Sequence, residues 1–190
     1  MTEKYIKELL TWTERPGIEN LIAYMEENGF FTSPCSGSHH LAVEGGLAEH
    51  SLNVFKLIRS LKGAFYCFDN HPEAIGNDSL IIVSLLHDLG KMGDYGKPNY
   101  VENTLKSGKQ SDSKPYKTNP ELLYVPHEIR SIKIASKFIE LTEEEENAIL
   151  YHNGLYGDFR YELMDKETPL YMLLHWADMW ASRVWEKEEN

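Results

Sequence analysis

The stretch SLLHDLGK, residues 84–91, decides the reading of this chain. His87 and Asp88 stand side by side at the end of the apolar run Leu80, Ile81, Ile82, Val83, Leu85 and Leu86. That run is hydrophobic on every side, the pattern of a buried helix, predicted here over about residues 78–90. An ionisable pair inside such a helix is costly unless its charge is compensated, and a bound cation is the common compensation for adjacent His and Asp. Gly90 offers a helix stop, and Lys91 adds a positive charge beside the pair. If His87 and Asp88 are ligands, their partners must come from other segments.

Upstream, two helices are predicted. The first covers residues 3–13, with Ile6, Leu9, Leu10 and Trp12 at helical spacing. Arg15-Pro16-Gly17 breaks the pattern, and the second runs from Ile18 towards Gly29 with Ile18, Leu21, Ile22 and Met25 on one face. Residues 30–38 read as a loop punctuated by Pro34 and Gly37. His39, His40 and Gly45-Gly46 lead into a third helix with the stripe Leu47, Val54, Leu57, Ile58 and Leu61. His50 lies on that stripe and points inward. A lone inward histidine is ordinarily a core residue satisfied by one hydrogen bond.

Residues 63–77 read as a connection containing His71-Pro72. After Lys91, residues 92–126 are poor in apolar side chains and rich in Gly, Pro, Ser and Asn. Between residues 106 and 117 of this segment, Lys106, Lys109, Lys114 and Lys117 are opposed only by Asp112. It reads either as a solvated mobile loop or as a substrate-binding lid near the site. Pro126 suits the first turn of the next helix, in which His127 begins a stripe with Ile134 and Phe138. Thr142 and Glu145 form a capping box for a helix that reaches His152, on the face of Ala148 and Ile149. Asn153-Gly154 stops it, and residues 155–166 read as a polar connection. Thr168 caps a last helix opened by Pro169, and its inward face holds Leu170, Tyr171, Leu174, His175 and Asp178. With no strand-period alternation and no repeat, the expectation is an all-α fold. It is a single domain over residues 1–190, with about seven helices around the 78–90 helix and the N-terminal helices packed on the core.

The bulk numbers narrow the function. The chain has 190 residues, 42% hydrophobic, enough for one domain with a real core. A net charge of −11 at pH 7 argues against a partner held by duplex phosphate contacts, yet leaves room for a small anionic substrate at a metal site. Cys35 and Cys67 have no zinc-type spacing and read as reduced thiols of a cytoplasmic protein. MTEKYIKELL is too charged for a signal peptide, and unbroken apolar runs such as Leu80–Val83 are far too short to span a membrane.

Six positions now stand out: His50, His87, Asp88, His127, His152 and Asp178. They fall on five predicted helices, mostly on inward faces, and so many buried ionisable groups in one small domain are hard to explain as coincidental core residues. Neutral imidazoles with carboxylates form the ligand set of Mn, Fe, Co, Ni or Zn rather than of Mg or Ca alone. Six ligands exceed what one catalytic metal with an open position takes. They suit two divalent metals about 3.5–4 Å apart, bridged by one carboxylate, that clamp a phosphoryl group and generate hydroxide between them.

The order H…HD…H…H…D resembles the HD-domain metal-dependent phosphohydrolase superfamily in its two-metal form. His40, Gly45-Gly46-Leu47, His50, LLHDLGK, the histidine-Asn-Gly at 152–154 and LLHWAD at 173–178 are similar to the HD domain of certain bacterial 3′–5′ exoribonucleases. Arg15-Pro16-Gly17, Phe30-Phe31 and His50-Ser51-Leu52-Asn53-Val54 also resemble short stand-alone HD hydrolases of phage and prophage genomes. The exoribonucleases carry an N-terminal OB fold and a second histidine where this chain has Asn153.

The resemblance implies that His50, His87, Asp88 and Asp178 hold a first metal. Asp88 would bridge to a second, held by His127 and His152. Lys91 would contact a substrate phosphate, with His40 and His175 close by. Tyr116, in the lysine-bearing segment, is a candidate for stacking on a base. The expected activity is hydrolysis of a phosphoester in a nucleotide or short oligonucleotide. The alternatives are a di-iron oxygenase of the same superfamily and a non-catalytic nucleotide-binding or regulatory module. Oligomeric state is left open.

Overall fold

The run Leu80–Leu86 forms the heart of α4 (Asn77–Leu86) in a computed structural model that describes residues 1–65 and 75–187. Each of those seven residues is buried, so this helix is apolar all round and other elements pack on every side of it. Around it lie α1 (Thr2–Thr11), α2 (Ile18–Glu27), α3 (Gly46–Phe65), α5 (His127–Ala135), α6 (Glu143–Tyr151), the short α7 (Arg160–Leu163) and α8 (Pro169–Trp180). α4 packs against α3, α6, α1 and α8, and α8 closes the bundle against α3 and α6. Each large aliphatic side chain in this shared core contributes about 1.5–3 kcal/mol of burial. Among the described residues no helix is long and apolar enough to cross a membrane.

Local signals explain most of the boundaries. Gly17 caps α2 at φ 89°, and a Cβ there would meet the Phe138 carbonyl oxygen at 1.9 Å, so both its backbone and its neighbour require glycine. The capping box of α6 is formed: the Glu145 amide donates to Thr142 Oγ1 at 3.2 Å and the Thr142 amide to Glu145 Oε2 at 2.9 Å. The same buried carboxylate takes the guanidinium fork of Arg15, at 2.7 and 2.5 Å. That pair ties the α1–α2 turn to the start of α6. Burial opposes the charge of Glu145, but Arg15 and the Thr142 amide outweigh it and hold its pKa below the ordinary 4.5. Thr168 caps α8 by accepting from the Tyr171 amide at 3.3 Å.

Several expectations need correction. α4 ends at Leu86 rather than near residue 90, because Asp88 leaves helical geometry at φ −101°, ψ 10°, and a 3₁₀ turn follows over Leu89–Met92. Gly90 serves close approach instead of stopping the helix. Trp12 lies beyond the last turn of α1 and is 64% exposed, so it is not part of the core face. The polar connection at 155–166 contains α7, giving eight α-helices among the described residues rather than seven. Of the connection predicted over residues 63–77, residues 63–65 continue α3 and Asn77 opens α4, while residues 66–74, with Cys67 and His71-Pro72, fall outside the described residues.

The fold is also not purely helical. Residues 92–126 hold two antiparallel ribbons, β1 (Gly93–Asp94) with β2 (Lys97–Pro98) and β3 (Tyr100–Glu102) with β4 (Tyr116–Thr118). Asn119 links the two ribbons, its side chain donating to Pro98 O and its amide to Asn99 O, both at 2.9 Å. Arg130 of α5 donates to Leu123 O at 2.9 Å, and the Tyr116 amide to Gly37 O at 3.1 Å. The segment is therefore fastened to α5 on one side and to the 31–45 segment on the other.

Candidate metal centre

Five elements bring their polar groups to one point beside the end of α4. His50 comes from the inward face of α3. His87 is the C-cap of α4 and Asp88 the next residue. His127 opens α5, His152 caps the end of α6, and Asp178 lies in α8. His50, His87, Asp88 and His152 are buried almost completely. Because the chain leaves the helix at Asp88, this carboxylate faces two groups of side chains.

On the Oδ2 side stand His87 Nε2 at 3.4 Å and His50 Nε2 at 3.5 Å, with Asp178 Oδ1 3.1 Å from His50 Nε2. On the Oδ1 side stand His127 Nε2 at 3.1 Å and His152 Nε2 at 3.5 Å, themselves 3.3 Å apart. Lys91 Nζ donates to Oδ2 at 2.6 Å. Oδ1 is buried and accepts no hydrogen bond despite these neighbours. A buried carboxylate oxygen without a donor is costly, and the two imidazole nitrogens beside it suit joint ligation of a cation.

The far side of each ring fixes its tautomer. His87 Nδ1–H donates to Ser84 O at 3.0 Å and His152 Nδ1–H to Ile149 O at 2.7 Å. His50 Nδ1–H donates to Glu186 Oε2 at 2.9 Å, and Asn53 steadies Glu186 through a 3.0 Å bond to Oε1. His127 Nδ1 lies 3.4 Å from Glu128 Oε2, and the other oxygen of Glu128 accepts from Asn153 at 2.5 Å. Holding Nδ1–H in this way turns the Nε2 lone pair to the shared point, the arrangement that orients ligating histidines.

The electrostatics agree with a cation-collecting site. Burial opposes the charge of Asp88 and of Asp178, yet Lys91 and His87 for the first and His50 for the second hold both far below the usual carboxylate range. Burial also opposes protonation of His50, and the neighbouring Cys35 sulfur with the Asp178 and Glu186 carboxylates overcomes it, raising that histidine well above its ordinary value.

The remaining predicted site residues sit around this centre. A cavity of about 450 Å³ opens onto it, and Lys91, His40, His175, Asn153 and Asp178 are among its lining. A depression of about 510 Å³ runs along α1, far from these groups, and is lined there by ordinary surface side chains such as Lys4 and Glu8. His175 Nδ1–H donates to His152 O at 2.7 Å, and its ring stacks on Tyr171. Tyr116 is not brought to the cavity: it lies in β4, where its amide bonds Gly37. Lys106, Lys109, Lys114 and Lys117 are exposed and do not line it either.

Sequence reading missed Glu186, Glu128 and Cys35. Glu186 follows a π-helical turn, Ala181–Trp185, beyond the end of α8, and no local periodicity marks it. Glu128 sits next to a predicted ligand, which was the available signal. Cys35 is fully buried, 3.3 Å from His40 Nε2. Burial pushes its thiol up to about 11, and burial followed by the charges of His50 and Lys91 pulls His40 down to about 4.

Compared with known proteins, residues 47–180 match the family model of the HD domain. A search of curated proteins gave no match, and a search of solved structures gave none. The matched span runs from just before His50 to just after Asp178 and takes in most of the chain. The chain thus belongs to the HD-domain family.

Proposed function

We propose that the chain is a metal-dependent phosphohydrolase acting on a phosphoester of a nucleotide or short oligonucleotide. The observation that carries this reading is the Asp88 carboxylate, set between two groups of Nε2 atoms with Oδ1 buried and unbonded. His50, His87, Asp178 and Asp88 Oδ2 would hold one divalent ion. His127, His152 and Asp88 Oδ1 would hold another. When bound, such ions supply the field that polarises a phosphoryl oxygen and lowers the pKa of water. The donor set fits Mn, Fe, Co, Ni or Zn.

The residues themselves have separate tasks. Lys91, fixed by Asp88 and lining the cavity, binds a non-bridging oxygen of the phosphoryl group and keeps it in place for attack. Glu186, Ser84 O and Ile149 O keep the imidazoles in the ligating tautomer. The cavity volume, about 450 Å³, lies within the range of small-molecule sites and favours a compact substrate.

The test is a screen of nucleotides, cyclic nucleotides and short oligonucleotides with each of the five metals, scored by release of phosphate or nucleotide. Metal-dependent turnover that is lost in Lys91→Met supports the reading. Oxygen consumption with iron, and no hydrolysis with any metal, would instead identify an oxidative enzyme.

A further inference from the structure

A second group of donor atoms gathers beside the His50 ring, whose Nδ1 edge is occupied by Glu186. Cys35 Sγ is 3.3 Å from His40 Nε2, and Glu186 Oε2 is 4.0 Å from the same nitrogen. Cys35, His40 and a nitrogen of His50 fall within 4.8 Å of one another. Cys35 is fully buried, and Glu186 is 9% exposed. Lys91 Nζ lies 4.0 Å from the sulfur, but burial outweighs its charge and keeps the thiol protonated until a metal displaces the proton. The three side chains come from two distant parts of the chain. Cys35 and His40 belong to the 31–45 segment, which has no helix or strand, and Glu186 follows the turn after α8.

The chemistry of the set is selective. Thiolate, imidazole and carboxylate together suit zinc, cobalt or cadmium and exclude calcium and magnesium, which take oxygen ligands. Tetrahedral coordination, with metal–sulfur bonds near 2.3 Å and metal–nitrogen bonds near 2.05 Å, places neighbouring donor atoms about 3.3–3.6 Å apart. The Cys35–His40 spacing of 3.3 Å already meets that. The His40–Glu186 spacing of 4.0 Å must close by about 0.6 Å, within the reach of a side-chain adjustment.

We propose that Cys35, His40 and Glu186 form a separate site for a zinc-class divalent ion, apart from the six residues around Asp88. His40 lines the cavity, so the position left open by three protein ligands faces it. Bound there, the ion fastens the irregular 31–45 segment to the turn after α8. It also fixes Glu186, the residue that sets the tautomer of His50. The proposal does not depend on the hydrolase reading, because none of its three ligands is a ligand in that reading.

The experiment is a cobalt(II) titration of the full chain, followed in the near ultraviolet, where a thiolate bound to cobalt gives an intense charge-transfer band. The expected result is a band that saturates at a single equivalent, persists in Asp88→Ala and disappears in Cys35→Ser. Glu186→Gln should keep the band and weaken the affinity by about tenfold or more. Circular dichroism checks that each variant is folded. If Cys35→Ser does not fold, cadmium-113 NMR of the unaltered chain reads the same property, because one sulfur ligand moves the resonance strongly downfield. Four outcomes overturn the proposal: no thiolate signal at saturating metal, a band that survives Cys35→Ser, a band lost with Asp88→Ala, or unchanged affinity in Glu186→Gln. The first leaves only a hydrogen-bonded Cys–His pair. A negative substrate screen changes none of these readouts.

Discussion

Replacing Gly90 by alanine drives a methyl group into the start of α5. A Cβ at this position would lie 2.4 Å from the His127 carbonyl oxygen, 2.8 Å from Arg130 Cβ and 3.0 Å from the Ser131 nitrogen. Two of the three obstacles are backbone, so no flexible side chain can give way. Ordinary contact begins near 3.4 Å, so the 3₁₀ turn and α5 must separate by about 1 Å. Overpacking of this kind costs about 1–3 kcal/mol. Separation also breaks the buried 2.8 Å bond from the Gly90 amide to Ser131 Oγ, worth about 1 kcal/mol more. The expected loss of stability is therefore about 2–4 kcal/mol. The same shift carries His127 away from Asp88, whereas ligand distances tolerate only about 0.2 Å. Denaturant unfolding with chelator present measures the first effect, and calorimetric titration with manganese the second. The equivalent assigned to His127 and His152 should lose affinity by about tenfold or more while the other changes little. A stability change below about 0.5 kcal/mol, with both equivalents intact, would refute this account of the turn.

Three further outcomes are expected. Asp88→Ala should lose both metals and essentially all hydrolysis, because the carboxylate serves both groups of imidazoles; two metals per chain by elemental analysis would exclude the bridging role. Arg15→Ala strands the buried Glu145 carboxylate and should cost about 2–3 kcal/mol at neutral pH, less than a fully buried pair because Arg15 keeps some contact with water. Since the folded pKa of Glu145 is depressed, its contribution is present above the unfolded value of 4.5 and is lost as pH falls through the folded one. The gap between parent and variant should then narrow below that pH, and an equal gap at neutral pH and at roughly pH 3 would contradict the linkage. Because Lys106, Lys109, Lys114 and Lys117 stand away from the cavity, changing all four to serine should leave kcat unchanged and act only through long-range charge, flattening the salt dependence of kcat/KM. Parent-like kinetics at low salt would show that these lysines are merely solvated.

The helical framework was legible because periodicity and capping residues are local signals: Thr142 with Glu145, Thr168 before Pro169, and the all-round apolar α4 behaved as read. The convergence of His50, His87, Asp88, His127, His152 and Asp178 followed from inward-facing polar residues, which are rare enough to be counted. Other features lay beyond such signals. The ribbons of residues 92–126 are two or three residues per strand, too short for alternation to register. The end of α4 depends on how closely the next turn must approach α5, a tertiary demand. Glu186 meets His50 from 136 residues away, and no window of sequence contains both.

That 136-residue separation governs how the molecule assembles. α3 emerges early in the chain and presents His50 to a space that only α8 and its following turn can close. Local helices form quickly, but this contact requires closing a loop of 136 residues, an entropic cost met before the contact gives anything back. The pocket is accordingly the last part to be completed. A cation that binds only the completed pocket stabilises it by mass action, about 2.7 kcal/mol when present at a hundred times its dissociation constant. Were such a cation bound, its supply would set how firmly α8 stays seated against α3, and with it the stability of the folded chain.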